Sequence, residues 1–70
     1  MTFTYKSKTV NNYYIEMYQE KFESVYHVAV YPVIDSNNSL CGYPVSNLVY
    51  KTEKQAFNRF NNAIRYYSKV

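Results

Sequence analysis

One histidine, one cysteine and three closely spaced glutamates are the side chains with which this chain could do covalent or acid–base chemistry. Cys41 and His27 would make a nucleophile and its base if a sheet brought them together. The sequence offers no oxyanion element or nucleophile motif to accompany them, and no sign of the depressed thiol pKa that such a pair requires. Zinc needs three or four ligands at set spacing, which one His and one Cys do not supply, so no metal site is expected. Glu16, Glu20 and Glu23 could work as acid and base only in a cleft that separates their pKa values. Glu16 and Glu20 share a parity on an exposed hairpin, where solvent-side charge is the simpler role. A single glycine, Gly42, excludes a glycine-rich phosphate loop. These residues describe a non-enzyme with no cofactor.

The elements that would carry those residues follow from periodicity. Residues 2–9 alternate as a strand, with Phe3 and Tyr5 on one side and Thr2, Thr4 and Lys6 on the other. Asn11-Asn12 reads as a turn, because Asn tolerates positive φ. Residues 13–20 form a second strand with Tyr13, Ile15 and Met17 on one face and Tyr14, Glu16, Tyr18 and Glu20 on the other. A short turn near Lys21–Ser24 leads to a strand at 25–33, apolar on both faces and therefore central. Pro32 offers no N–H, so its regular part is expected to stop near Tyr31. A polar loop, Asp35–Pro44, precedes a short strand at 45–50. Thr52-Glu53-Lys54-Gln55 matches a capping box. Ala56, Phe57, Phe60, Ala63, Ile64 and Tyr67 then recur at three- and four-residue intervals, predicting an amphipathic helix over 53–68. The expected fold is α+β: a three- or four-stranded antiparallel β-meander followed by one C-terminal helix packed on one sheet face, in a single domain of 1–70.

Seventy residues permit only a small core, and a chain of this size buries about 60% of its unfolded surface. Ten of those residues are Tyr and none is Trp. Burying every phenol would demand ten hydrogen-bond partners, so some Tyr must lie outside the core. If Ile15 and Met17 face the helix, Tyr14, Glu16, Tyr18, His27 and Tyr31 line the uncovered face. Tyr supplies contact area at low entropic cost, and such a face is a candidate protein interface, with the loop around Ser39–Tyr43 as a rim. An uncovered aromatic face also favours a homo-oligomer.

The net charge of +3 is unevenly distributed: residues 1–15 carry +2, residues 16–35 carry −3 and the remainder carries +4. Basic residues on the helix, Lys54, Arg59, Arg65 and Lys69, offer an alternative in which DNA or RNA is the partner. Against stacking of single-stranded nucleic acid on the Tyr face, Glu16 and Glu20 occupy that same face. One cysteine cannot form an internal disulfide, the first residues contain no apolar signal segment, and no apolar run approaches membrane-spanning length. A cytoplasmic protein without a membrane partner is expected.

Leu48 to Ile64, LVYKTEKQAFNRFNNAI, resembles the end of the AP2-like, three-stranded N-terminal DNA-binding domain of phage and transposon integrases. In that family a strand runs into a Thr-capped helix with an early Ala, here Thr52 and Ala56, and the resemblance implies DNA binding. As a whole, the short, Tyr- and Asn-rich chain is similar in style to phage and mobile-element anti-defence proteins, the anti-CRISPR inhibitors among them. That resemblance implies stoichiometric inhibition of a host protein, a defence nuclease or nucleic-acid-processing complex, by masking its surface in the cytoplasm of a bacterial host.

Overall fold

Sequential hairpins build the sheet, and the computed structural model describes residues 2–34 and 42–69 of the chain. Strands β1 (Thr2–Val10), β2 (Tyr13–Glu20), β3 (Tyr26–Pro32) and β4 (Ser46–Tyr50) are followed by helix α1 (Glu53–Tyr67). The strands lie in the order β1-β2-β3-β4, all neighbours antiparallel, and α1 packs on one face. This is the α+β meander-plus-helix expected from periodicity, with four strands. The first segment is a full strand paired along β2 from Thr2↔Glu20 to Val10↔Tyr13.

The covered face is apolar because the period-two and period-3.6 patterns meet there. Ile15 and Met17 of β2 stand opposite Val30 and Val28 of β3, and Ala56, Phe60 and Ala63 of α1 complete the buried cluster. The two alanines, seven residues apart on one helix stripe, let the helix approach the sheet while Phe60 fills the space between. Tyr5, Tyr13, Tyr26, Tyr50 and Tyr67 pack around this cluster, half-buried. The Tyr13 and Tyr67 rings meet at 4.6 Å, joining the first hairpin to the end of the helix. Phe57, placed on the apolar stripe by its spacing, sits at the margin of the core. The Lys6 ammonium covers its ring at 4.5 Å.

Helix α1 starts where its cap dictates. Thr52 is extended (φ −125°, ψ 149°) and its hydroxyl accepts the Gln55 N–H at 3.2 Å. Glu53 in the first turn and Arg65 in the last complement the helix dipole. The helix closes with the Ser68 N–H donating to Ile64 O at 3.0 Å.

Two details differ from the sequence reading. Strand β3 continues through Pro32, which pairs opposite Tyr13. The Val33 N–H donates to Asn12 O on the β2 side, and Val30 O accepts the Val45 N–H on the other. By parity the Pro32 nitrogen points to the β4 side, beyond the last β4 pair at Ser46, so no ladder bond is lost. The second difference lies in β1. A β-bulge shifts the register between Thr4↔Tyr18 and Lys6↔Met17, leaving Tyr5 as the extra residue. Lys6 and Lys8 share the helix side with Met17 and Ile15, and the bulge sends Thr4 to the opposite side, whereas uninterrupted alternation keeps Thr4 and Lys6 together.

The β1–β2 and β2–β3 turns each place a non-glycine residue in the left-handed region. Asn11 (φ 50°) follows β1, and its amide Nδ2–H donates to Tyr67 O at 2.8 Å. Phe22 (φ 69°) occupies the third position of the turn closed by the Glu23 N–H to Glu20 O at 3.2 Å. Asn tolerates this conformation, but a bulky aromatic does so at a cost of roughly 1–2 kcal/mol.

Candidate functional site

Antiparallel pairing carries side-chain parity from strand to strand, and it gathers one set of residues on the face away from α1. Tyr14 stands opposite Tyr31, Glu16 opposite Ala29, and Tyr18 opposite His27. Beyond them, β4 contributes Asn47 beside Ala29 and Val49 beside His27. Strand β1 contributes Thr4, Ser7 and Thr9. All five residues expected at the interface, Tyr14, Glu16, Tyr18, His27 and Tyr31, thus occupy one surface, each half-buried by its neighbours. Ala29 forms the floor of this surface. It is fully buried on the face away from α1, with Glu16 and Asn47 as its cross-strand partners on either side.

Hydrogen bonds and stacking fix several of these groups. The Thr4 hydroxyl donates to Glu16 Oε2 at 2.6 Å. Tyr18 and His27 stack at 4.8 Å with their planes within 9°. The His27 Nε2–H donates to Glu23 Oε2 at 2.6 Å, while Nδ1 is buried with no hydrogen-bond partner. With its side chain only 15% exposed, His27 supports Tyr18 and Glu23 rather than offering a broad contact of its own. Burial raises the Tyr31 pKa, and the nearby Tyr18 phenol and Glu16 carboxylate raise it further, so this phenol stays neutral and able to donate.

The charge on this surface is one-signed. Glu16 and Glu20 lie on it, and none of its strand residues is Lys or Arg. The register of the first hairpin is the reason, since from Val10↔Tyr13 it sets Lys8 opposite Ile15 and Lys6 opposite Met17 on the helix side. The groups this surface presents are phenols and carboxylates set around an aromatic patch. Among the described residues no three His, Cys, Asp or Glu side chains gather as metal ligands. Cys41 lies outside the described residues, as does most of the Ser39–Tyr43 rim. Tyr43 itself is exposed.

The basic alternative is arranged differently. Lys54 and Arg65, eleven residues apart, return to the same side of α1 after about three turns, and Arg59 lies on its flank. Lys69 follows in the turn beyond the helix. Arg65 donates to Asn62 Oδ1 at 2.7 Å. Arg59 lines a shallow groove of about 290 Å³ together with Tyr50, Gln55, Asn58 and Asn62. The four charges do not converge on one stripe. The groove's amides were legible as Gln55, Asn58 and Asn62 at helical spacing, but the contribution of Tyr50 depends on how β4 meets the helix.

No protein-family model, curated protein or solved structure matches this chain. No helix among the described residues is long and apolar enough to cross a membrane.

Proposed function

We propose that the protein is a non-enzymatic binding module that acts by masking the surface of another protein. One observation carries the reading: Tyr14, Tyr18 and Tyr31 share the uncovered sheet face with Glu16 and Glu20, and no strand residue there is Lys or Arg. Aromatic anchors supply affinity, while one-signed charge selects and orients the partner. A basic surface of the kind that holds nucleic-acid phosphates is complementary to this face. The resemblance in style to phage anti-defence inhibitors extends the proposal to a host defence nuclease or effector complex, bound stoichiometrically in the bacterial cytoplasm. Like-signed charge opposes symmetric pairing of two such faces, so a homo-oligomer would use other surfaces.

A second reading has the Arg59 groove in its favour. Arg, Asn and Gln side chains are the usual readers of base edges, and Gln55, Asn58, Arg59 and Asn62 present them on one side of a helix. A tagged pull-down from bacterial lysate, with and without nuclease, separates the two. A nuclease-resistant protein partner at fixed stoichiometry, lost on Tyr14→Ala and Tyr18→Ala with the fold intact, is the expected result. Full binding by both variants would exclude the proposed face. Recovery of nucleic acid alone, weakened by salt and by changing Lys54, Arg59, Arg65 or Lys69, would move the function to the helix.

A further inference from the structure

The turn between β2 and β3 holds an aromatic residue where the backbone suits it least. Phe22 occupies a turn position with φ 69°, a conformation usually given to Gly or Asn. Eleven residues earlier the chain meets the same demand with Asn11. Phe22 gains no packing in return: it is 95% exposed, and the contact described for its ring is the Lys21 ammonium at 4.9 Å. Backbone strain and an apolar ring in water both oppose Phe at this position. Strain kept where it weakens the fold is a mark of function.

The turn is also held firmly on either side of that ring. The Gln19 amide donates to Glu23 O at 2.9 Å, and Gln19 Oε1 accepts the Tyr5 hydroxyl at 2.9 Å. The Glu23 carboxylate is fixed by His27, which stacks under Tyr18. Of these supports, Gln19 and Tyr5 tie the turn to the helix side, while Glu23, His27 and Tyr18 tie it to the open sheet face. An apolar side chain presented on a rigid turn binds at a small entropic penalty.

We infer that Phe22 is an anchor that enters an apolar pocket on the protein partner of the open face, an inference that rests on the protein-binding reading above. Glu20 and Glu23 outnumber Lys21 at the tip, which disfavours an anionic membrane and matches a pocket with a basic rim. A second copy of the chain is a poor host, because the groove at Tyr50, Gln55, Asn58, Arg59 and Asn62 is open and shallow and cannot enclose a phenyl ring.

The test uses the full chain carrying Phe22→Gly or Phe22→Ala, together with p-benzoylphenylalanine placed at position 22, 18 or 66 for photocrosslinking in bacterial lysate. Phe22→Gly should raise Tm by about 2–5 °C through relief of strain. Both substitutions should weaken binding to the partner captured by the unmodified protein by about 30-fold or more, the loss typical of an anchor residue. Crosslinks from positions 22 and 18 should give an adduct of the same mass, and position 66 on the helix should give none. A lower Tm for Phe22→Gly would show that the ring serves the fold and would overturn the inference. So would the absence of an adduct at position 22, or sedimentation with phosphatidylglycerol–phosphatidylcholine vesicles that Phe22→Gly abolishes. If the Phe22 variants bind fully while Tyr14→Ala and Tyr18→Ala do not, the anchor fails alone. If none of the four weakens binding, the protein-binding face fails with it.

Discussion

The two faces of the sheet are built by the same strands, often by adjacent residues, yet they solve opposite problems. On one, Ile15, Met17, Val28 and Val30 disappear beneath Ala56, Phe60 and Ala63. On the other, Tyr14, Glu16, Tyr18 and Tyr31 retain access to solvent around a buried Ala29. The first uses aliphatic groups around one phenyl ring, with no buried polar side chain among the described residues. The second uses side chains that combine apolar area with a polar tip and holds some of them in place by stacking and hydrogen bonds. The contrast assigns stability mainly to the covered face, and it is the open face that the proposed recognition role uses.

The sharpest way to break that contrast is to truncate one aromatic on each side. Phe60→Ala should cost about 3–5 kcal/mol, a large part of the stability of a domain this size, read as a drop in the denaturation midpoint. Tyr18→Ala removes a half-buried ring stacked on His27 and should cost about 1 kcal/mol. Equal losses from the two would mean that the open face is structural after all.

Alkaline titration gives the smallest expected effect. The Tyr31 pKa is raised first by burial and then by its Tyr18 and Glu16 neighbours. A phenol whose pKa is higher when folded leaves stability unchanged below its unfolded value near 10, and stability falls as pH rises through the folded value. Chemical denaturation above about pH 10 should therefore show a decline that Tyr31→Phe makes shallower. An unchanged slope would mean that Tyr31 is better solvated than its place on the face implies.

Much of this division was legible in the residues. Parity along 13–20 separates Tyr13, Ile15 and Met17 from Tyr14, Glu16 and Tyr18, and pairing carries that parity into β3. The Thr52 cap and the stripe from Ala56 to Tyr67 mark the helix by local rules alone. The bulge was not legible, because in the TFTYKSK segment any of several residues could be the extra one, and pairing with β2 makes the choice. With it went the placement of Thr4 opposite Tyr18 on the open face and of Phe3 opposite Gln19 on the helix side. Phe22 was missed for a related reason. A turn near Lys21–Ser24 could be expected, but no Gly or Asn marks its left-handed position, so the sequence hides which residue adopts that conformation.

The pairing of β1 with β2 also gives the molecule two distinct ends. Thr2 lies across from Glu20, two residues before Phe22, whereas the amide of Asn11 meets the carbonyl of Tyr67 at the other end of the hairpin. Eight residues of strand separate these ends by about 25 Å. A bulky fusion ahead of Thr2 would crowd the Phe22 turn, while one following the helix would leave it clear. Where a tag is joined can thus decide whether an assay sees binding at all.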